Sequence, residues 1–523
     1  METGRESSDG REWASSTVGQ YMDSEHAEDR TVLENCHPPG YCNPSGAGDG
    51  RRYNLIAIGA GAAGLVSAGG AGMLGGRAAL IERNLLGGDC LNTGCVPSKA
   101  LIRASRAVYE AEQSGQFGLP GEMMSGRADF GAAMERLRRV RARISHHDSV
   151  QRFQEKFGVD VFLGEARFTG PDSLEVDGQQ LRFARAVIAT GGRPAIPAIP
   201  GLVGNGYYTS ESIFALRQLP ARLAVIGGGP IGCELAQVFQ RYGSRVTILN
   251  AAAQLLPREE RDAALTLERR LRDEGVMIHH GVKISHIEPP GRIVYFTPDR
   301  PAATVMAEAI LVATGRVPNL EGLDLEAAGI DYDADGVIVD DHLRTSNRRV
   351  YAAGDVCSDA KFTHVADAMA RIVIRNALFF GRERMSRLVI PRVTYTDPEI
   401  AHVGWSRKDG ERAGVELLSL TAPLDENDRA IIDGEENGYV TVHVDQRSGL
   451  IRGGTIVARH AGEMIGQLTL AITQGLKIGA LARTIQPYPT LSDSLRRVAD
   501  NYEMDRIRPW QRRLLKLWLS WNR

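Results

Sequence analysis

The sequence predicts an α/β fold with two dinucleotide-binding units, because one pattern of strand, glycine-rich loop and helix occurs twice. Short apolar strands at residues 55–58 and 223–226 each run into a G-x-G-x-x-G loop and then a helix. This pattern holds the diphosphate of a dinucleotide at a helix N-terminus. Two copies predict two Rossmann-like domains and two cofactors. The glycines are Gly59, Gly61 and Gly64 in the first copy, and Gly227, Gly229 and Gly232 in the second.

The strand that follows each glycine loop carries a second signal. In such loops the first glycine makes a tight turn, the second lets the backbone approach the diphosphate, and the third lets helix and strand pack closely. After the first loop the next strand ends at Glu82, whose carboxylate can accept hydrogen bonds from ribose hydroxyls. Asn250 stands at the end of the corresponding second strand, where an acid would favour NADH and an arginine would favour NADPH. That position therefore carries neither marker.

Composition limits the remaining classes of protein. The chain has 523 residues, 43% of them hydrophobic and 24% charged, which is enough for two to four domains with proper cores. A formal net charge of -2 gives no general attraction for nucleic acid. Six scattered cysteines are too few for a disulfide framework, and the first residues lack an apolar secretory signal. We therefore expect a cytoplasmic enzyme.

Two cysteines, Cys90 and Cys95, follow the first glycine loop within residues 87–99. A regular helix would point them to different sides, so a bond between them needs an irregular turn, which Gly94 permits. Two small buried cysteines are the alternative interpretation, and zinc is a weaker one because no second ligand pair follows. A disulfide that closes so short a loop is a weak staple. The position behind a nucleotide-binding loop favours a redox pair.

Further motifs follow the cysteine pair in a fixed order, at residues 189–192, 313–319, 351–355 and 395–399. With residues 87–99 they resemble the flavin-dependent pyridine nucleotide-disulfide oxidoreductases, the family of glutathione reductase, dihydrolipoamide dehydrogenase and mercuric reductase. The resemblance covers roughly residues 53–505. It implies FAD at the first glycine loop, NAD(P)H at the second, and a homodimer made by an α+β C-terminal domain. By analogy with the mercuric reductases, NADPH is slightly favoured over NADH.

The resemblance also implies domain limits. Residues 1–52 are rich in Ser, Gly, Asp and Glu and lack sustained periodicity, so we predict a disordered tail. The other predicted segments are the FAD-binding domain in two parts, 53–200 and 319–390, the NAD(P)-binding domain 201–318, the dimerisation domain 391–505, and a basic amphipathic tail 506–523.

Roles for individual residues follow from the same resemblance. Electrons are expected to pass from NAD(P)H through FAD to a Cys90–Cys95 disulfide, with Cys95 nearer the flavin and Cys90 as the interchange thiol. Lys99 is expected to pair with Glu234 beside the flavin. The pKa of Cys95 is expected to be lowered by a helix N-terminus and by the charge of Lys99. Further cofactor contacts are expected at Gly88, Thr190, Gly191, Gly315, Gly354 and Asp355.

The C-terminal domain departs from the disulfide reductases at residues 486–493. Those enzymes carry His-Pro-Thr-x-x-Glu there, and the His serves the partner subunit as acid and base for thiol exchange. Tyr488 takes the place of the His, and Asp493 that of its Glu. A tyrosine with a pKa near ~10 is a poor base. The difference favours Hg(II) or another soft species bound by Cys90 and Cys95 as substrate, with no permanent metal ion; dihydrolipoamide dehydrogenase-type activity and a redox-silent FAD-binding interaction protein are the alternatives.

Other candidate residues lie outside these motifs. Cys36 and Cys42 in the N-terminal tail are interpreted as unpaired thiols, with a makeshift metal-capturing relay as the alternative. Residues 507–519 are basic and aromatic with helical apolar spacing, and we favour a helix packed on its own dimer over contact with an anionic membrane. His364 and His402 are interpreted as hydrogen-bonded structural histidines.

Overall fold

The computed structural model describes residues 21–45, 52–118, 128–505 and 509–522. They fall into two units, one made of Met1–Ala253 and Gly275–Arg387, the other of Gln254–Glu274 and Leu388–Arg523. The helices are α1 Ala27–Cys36, α2 Ala62–Met73, α3 Gly88–Asn92, α4 Cys95–Glu112, α5 Phe130–Ser145, α6 Val150–Phe157, α7 Leu202–Asn205, α8 Pro230–Arg241, α9 Arg261–Asp273, α10 Thr363–Leu378, α11 Arg407–Ala413, α12 Asp428–Asp433, α13 Ala461–Thr473, α14 Gly479–Arg483, α15 Asp493–Asp505 and α16 Pro509–Trp521.

The strands lie in seven sheets of the described chain. They are β1 Leu55–Ile58, β2 Ala78–Glu82, β3 Val159–Leu163, β4 Ala166–Gly170, β5 Ser173–Val176, β6 Gln179–Arg182, β7 Ala186–Ile188, β8 Gly192–Pro194, β9 Arg222–Ile226, β10 Arg245–Leu249, β11 Met277–His279, β12 Lys283–Glu288, β13 Arg292–Thr297, β14 Arg300–Met306, β15 Ala309–Val312, β16 Arg316–Pro318, β17 Tyr332–Asp333, β18 Gly336–Val337, β19 Val350–Ala352, β20 Pro391–Thr394, β21 Glu399–Gly404, β22 Leu417–Pro423, β23 Tyr439–Asp445 and β24 Ile451–Ala458.

The first unit contains both predicted nucleotide-binding sheets. One sheet has the order β19-β7-β1-β2-β3 and the other β11-β10-β9-β15, and every pairing in them is parallel. All four residues of β1 and of β15 are buried, as expected of parallel strands covered on both faces. Each glycine loop therefore follows a central strand, β1 or β9, at its carboxyl end, which is where ligands bind in such sheets.

The second unit has a different construction. Its five strands are antiparallel in the order β20-β21-β24-β23-β22. Side chains of α13 and α15, among them Leu468 and Leu495, share one buried core with strand residues such as Val442 and Ile456. The predicted α/β fold with an α+β C-terminal domain is confirmed, while the predicted domain boundaries stay predictions.

The prediction of a disordered tail over residues 1–52 is wrong for residues 21–45, since α1 lies within them. The buried residues of α1 are Asp29, Val32 and Cys36. Because one of the three is an acid, the sequence showed no apolar stripe. Asp29 is held by Arg141 of α5, whose Nη2 donates a hydrogen bond to it at 2.5 Å. Of the predicted tail, residues 1–20 and 46–51 lie outside the described residues, so the prediction stays untested there.

Helix α16 carries the predicted C-terminal tail, and its residues are exposed or half-buried. Within the described part of the chain, none of the helices has both the length and the hydropathy needed to cross a membrane.

Candidate active site

The first glycine loop forms a turn that a side chain at two of its three glycines would block. Gly59 has φ +97°, and a Cβ there would lie 2.5 Å from the carbonyl oxygen of Ala189. A Cβ on Gly64 would lie 1.7 Å from the carbonyl oxygen of Gly59. In front of Gly61, by contrast, the nearest heavy atom to a Cβ is the Cα of Gly88, at 4.0 Å. The loop thus leaves its open space at the middle glycine, where a diphosphate has to approach.

The second glycine loop repeats this arrangement. Gly227 has φ +115°, and a Cβ there would lie 2.4 Å from the carbonyl oxygen of Ala313. A Cβ on Gly232 would lie 2.1 Å from the carbonyl oxygen of Gly227, whereas a Cβ on Gly229 would meet no heavy atom within 4 Å. Both cradles therefore fit a dinucleotide diphosphate on the same physical grounds.

The residues after the two following strands are engaged differently. The Glu82 carboxylate accepts hydrogen bonds from the backbone N–H of Ala60, at 2.6 Å, and of Asn84, at 2.8 Å, which holds it against the first loop. Asn250 is buried and its side-chain amide donates to the carbonyl oxygen of Ala252 at 3.1 Å. Contacts of Glu82 with a ribose and of Asn250 with a nucleotide stay predictions.

The cysteine pair spans a break between two helices. Helix α3 ends at Asn92 and α4 begins at Cys95. A Cβ on Gly94 would lie 2.8 Å from the carbonyl oxygen of Asp89, so the break depends on a glycine there. Both cysteines are free thiols, and the Sγ of Cys95 is 3.3 Å from the Oγ1 of Thr363, at the start of α10. Cys95 thus lies at the N-terminus of an 18-residue helix, where a thiolate is favoured.

The surroundings make Cys95 the more acidic thiol of the pair. A hydrogen bond from the Cys90 thiol, another from Thr363 and the positive charge of Lys99 lower the pKa of Cys95 to about 6, against the effect of burial. The same neighbour and burial raise the pKa of Cys90. At neutral pH the pair therefore carries one negative charge, on Cys95.

Lys99 and Glu234 form the pair that the sequence predicts. The Nζ of Lys99 donates a hydrogen bond to the Oε2 of Glu234 at 2.9 Å. The Glu234 side chain is only 6% exposed, and Lys99 places a cation beside this buried carboxylate. The geometry brings Lys99, Cys95 and Glu234 together, while their roles toward a cofactor stay predictions.

Most of the other predicted cofactor residues are glycines in turns with positive φ. Gly191 and Gly315 have φ +65° and +126°, and a Cβ on either would meet no heavy atom within 4 Å. Gly354 has φ +87°. The Thr190 hydroxyl donates to the carbonyl oxygen of Asn319 at 2.7 Å. A Cβ on Gly88 would lie 2.7 Å from the Cα of Gly61, so Gly88 is needed for the close approach of two backbones.

Several residues of this region were missed by the sequence analysis. Arg316 is ion-paired with Asp89, and its Nε lies 3.3 Å from the Oδ2 of the predicted residue Asp355. Burial, together with the Asp89 carboxylate, raises the pKa of Glu211 to about 7. The signal for Arg316 was its place within the motif at residues 313–319. Glu211 gave none, because its pKa is set by neighbours distant in sequence.

The N-terminal segment is linked to the chain before Cys90 by a direct hydrogen bond and to the chain after it through Arg141 of α5. Arg141, besides its bond to Asp29, donates from Nη1 to the carbonyl oxygen of Asn92 at 3.1 Å, between the two cysteines. The backbone N–H of Leu86 donates to the carbonyl oxygen of Cys36 at 3.1 Å. These contacts were not predicted, because residues 1–52 were expected to be disordered.

The predicted pair of Tyr488 and Asp493 is not joined by a hydrogen bond in the described structure. Tyr488 is 74% exposed, and its hydroxyl donates to the Oδ2 of Asp428 at 2.8 Å. This bond to an anion raises the pKa of the phenol. Asp493 instead accepts hydrogen bonds from Arg496, at 2.9 Å, and Arg497, at 3.3 Å.

The histidines differ in their surroundings. His402 is buried with its Nδ1 at 2.8 Å from the Oγ1 of Thr455, and burial lowers its pKa to about 4. Its structural interpretation is confirmed. The ring of His364 stacks on Phe362 with 5.4 Å between centroids.

Comparison with known proteins gives two matches that cover most of the chain. The family model of the pyridine nucleotide-disulphide oxidoreductases matches residues 53–370, and that of their dimerisation domain matches residues 390–499. The chain is 33% identical to a mercuric reductase of Lysinibacillus sphaericus over 87% of this chain and 83% of that protein. It is 32% identical to a dihydrolipoyl dehydrogenase of Thermus scotoductus, over 86% and 97% of the two chains.

Solved structures agree. The HOCl-induced flavoprotein disulfide reductase RclA of Escherichia coli superposes with a TM-score of 0.75 at 30% identity, over 86% of this chain and 99% of that one. LpdA of Mycobacterium tuberculosis gives a TM-score of 0.77 at 26% identity over the same shares. Members of the matched family use FAD and NAD(P)H, which agrees with the two diphosphate cradles. The chain therefore belongs to the pyridine nucleotide-disulphide oxidoreductase family.

Proposed function

We propose that this oxidoreductase passes electrons from NAD(P)H to Hg(II), or to another soft species bound by thiolates, through Cys90 and Cys95. The observation that carries the proposal is Tyr488, which stands where disulfide reductases have a base. Its hydroxyl donates to Asp428, and that bond raises the pKa of the phenol. At neutral pH it stays protonated, so it can donate a hydrogen bond but cannot accept a proton.

Substrate chemistry decides whether the loss of a base matters. Reduction of an organic disulfide, RSSR + NADPH + H⁺ → 2 RSH + NADP⁺, releases two thiols and takes up one proton. The exchange of thiols therefore needs a group that gives and takes protons. Reduction of Hg(II), Hg²⁺ + NADPH → Hg(0) + NADP⁺ + H⁺, breaks no S–S bond. A small thiol that carries the ion leaves earlier, when the thiolates of Cys90 and Cys95 replace it as ligands. A soft metal ion binds thiolates directly. Absence of the base should therefore slow the reduction of a disulfide and leave the reduction of Hg(II) unaffected.

The roles of this chain's own residues follow. FAD, when bound, supplies the electron carrier between nicotinamide and dithiol. The Cys95 thiolate is the first ligand for the metal ion, and Cys90 becomes the second when it gives up its proton. Lys99 holds the negative charge of Cys95, and Glu234 orients Lys99. The match to the dimerisation domain supports a homodimer, in which we place Tyr488 of the partner subunit beside the dithiol.

The test compares electron acceptors with the same holoenzyme under anaerobic conditions. NADPH and NADH are offered separately, each with Hg(II) buffered by a small thiol, with Cu(II), with lipoamide and with glutathione disulfide. Cu(II) is included because RclA has been solved as a Cu(II) complex. We expect rapid Hg(II)-dependent oxidation, NADPH slightly ahead of NADH, and slow turnover of either disulfide.

Two variants make the test specific to Tyr488. Tyr488→His should raise lipoamide turnover by about tenfold to a hundredfold, because it restores a group that titrates near neutral pH. Tyr488→Phe, the matched control, should leave lipoamide turnover low. Brisk lipoamide turnover by the unmodified enzyme without Hg(II)-dependent oxidation would show a dihydrolipoamide dehydrogenase-type enzyme. Absence of NAD(P)H oxidation with every acceptor would favour a redox-silent binding protein.

A further inference from the structure

Helix α16, Pro509–Trp521, separates its apolar and basic residues onto two faces. At about 100° per residue, the apolar side chains span about 200° of the helix circumference, and Leu519 at one edge lies beside Arg512. They are Trp510, Leu514, Leu515, Leu517, Trp518, Leu519 and Trp521, with the polar Gln511 among them. The opposite side carries Arg512, Arg513, Lys516 and Ser520.

The apolar face of α16 has no cover in the described structure. Trp510, Trp518 and Trp521 are 55%, 62% and 92% exposed, and Leu517 is 66% exposed. A contiguous apolar surface of this kind on a soluble chain marks a binding face. The same 13 residues hold three of the five tryptophans of the whole chain. We therefore expect this face to bind a partner or a surface.

Helix α15, which precedes it, shows how a helix that packs on protein differs. Its Leu495 and Val498 are buried in the core of the second unit, and its acids and bases pair with each other, as Arg496 does with Asp500 at 2.7 Å. Helix α16 contains no acid at all, and its only charged residues are the cations Arg512, Arg513 and Lys516. Its charge is complementary to an anionic surface.

We propose that α16 binds the surface of an anionic lipid bilayer. Basic residues on one face with Trp and Leu on the other are typical of helices that lie in the interface of a membrane. At about 1.5 Å per residue its 13 residues measure about 20 Å, short of a hydrocarbon core of about 30 Å, so the helix lies along the surface. The family model of the dimerisation domain ends at residue 499, before α16 begins. Two copies in a homodimer would bind together and strengthen the attachment.

The test uses the full-length FAD-loaded protein and two kinds of vesicle. One is phosphatidylcholine alone, the other phosphatidylcholine mixed with phosphatidylglycerol. Binding is measured by co-sedimentation and by quenching of tryptophan emission with brominated lipid. We expect binding to the anionic vesicles that weakens as salt is raised, and at least tenfold weaker binding to the neutral vesicles.

Variants separate charge from apolar contact. Arg512→Glu/Arg513→Glu/Lys516→Glu should weaken binding to anionic vesicles by at least about a hundredfold, since each basic residue near such a surface contributes about fivefold and each new Glu is repelled by it. Trp510→Ser/Trp518→Ser/Trp521→Ser removes the fluorescent reporters, so this variant is followed by co-sedimentation, and it should no longer co-sediment with the anionic vesicles. The matched control Arg348→Glu/Arg349→Glu/Lys408→Glu changes net charge equally at exposed positions outside α16 and should bind normally.

Two results would overturn the proposal. One is that the unmodified protein fails to bind anionic vesicles. The other is that the tryptophan variant turns the dimer into a monomer while the charge variant binds vesicles as before, which would assign α16 to the dimer contact. Electron transfer in vesicle-free solution should be the same for all three variants, so failure of this proposal is distinct from failure of the proposed function.

Discussion

Two pairs of cysteines with similar spacing behave as opposites in this molecule. Cys90 and Cys95 share a hydrogen bond beside Lys99 and Thr363, and the pKa of Cys95 is lowered. Cys36, by contrast, is fully buried and burial raises its pKa, while Cys42 is exposed with its Sγ 3.7 Å from the carbonyl oxygen of Gly40. Spacing alone therefore says little about thiol chemistry. A helix N-terminus, a cation and a hydrogen-bond donor make the difference.

The comparison also corrects the idea of a metal-capturing relay at Cys36 and Cys42. Cys36 is fully buried and burial raises its pKa, which disfavours capture of a metal ion from solvent and argues against Cys36 as half of such a relay. The segment instead supports the first pair, because Asp29 holds Arg141, and Arg141 holds the carbonyl oxygen of Asn92 between the two cysteines.

The largest expected effect is loss of the first pair. Cys95→Ser or Cys90→Ser should lower Hg(II)-dependent NADPH oxidation by about a thousandfold or more, since either change leaves one thiol where two are needed. Cys42→Ser is the control from the other pair and should leave the rate unchanged. A comparable loss of activity in Cys42→Ser would show that an N-terminal thiol takes part in the transfer of the metal ion.

The next effect concerns the charge beside Cys95. Lys99→Met removes the cation and should raise the pKa of Cys95 by about one unit, because a nearby positive charge favours the thiolate. The measurement is the pH dependence of thiolate absorbance in the reduced protein. Glu234→Gln, which leaves Lys99 in place, should move the pKa in the opposite direction, since the Glu234 carboxylate opposes the thiolate. No movement in either variant would show that the hydrogen bonds alone set this pKa.

The smallest effect tests the link between the two regions. Arg141→Met removes the bonds to Asp29 and Asn92 and should lower the free energy of unfolding by about 2 kcal/mol, less than for an isolated buried ion, because Arg138 lies 3.6 Å from the same carboxylate. It should also speed alkylation of the dithiol. Arg139→Met, an exposed change on the same helix, should do neither. Equal effects of Arg141→Met and Arg139→Met would show that the bonds of Arg141 to Asp29 and Asn92 do not stabilise the dithiol region.

Local motifs were predictable from the sequence because their residues lie close along the chain. The glycine loops, the irregular turn at Gly94 and the cysteine pair all follow from backbone requirements within a few residues. Lys99 and Glu234 were found only through the family resemblance, since 135 residues separate them. The resemblance also identified Tyr488 as the site of a departure, although not its bond to Asp428.

Contacts distant in sequence and absent from the family motifs could not be predicted. Arg141 and Asp29 bury opposite charges against each other, and neither charge is informative until both helices are placed. Thr363 acts on Cys95 from 268 residues away. The acidity of Cys95 was expected from Lys99 and a helix N-terminus, whereas the structure adds hydrogen bonds from Cys90 and Thr363. Such networks arise from tertiary packing and leave no periodic signal in the sequence.

The most direct test of the account is the rate of iodoacetamide labelling at each cysteine of the reduced protein as a function of pH, resolved by mass spectrometry. Because the folded pKa of Cys95 is lowered to about 6, its labelling should stay fast at neutral pH and fall only as the pH drops through that value. Cys36, which is fully buried and whose pKa is raised by burial, should resist labelling throughout. Labelling of Cys95 that is slow at neutral pH and becomes fast only in alkaline solution would contradict the account.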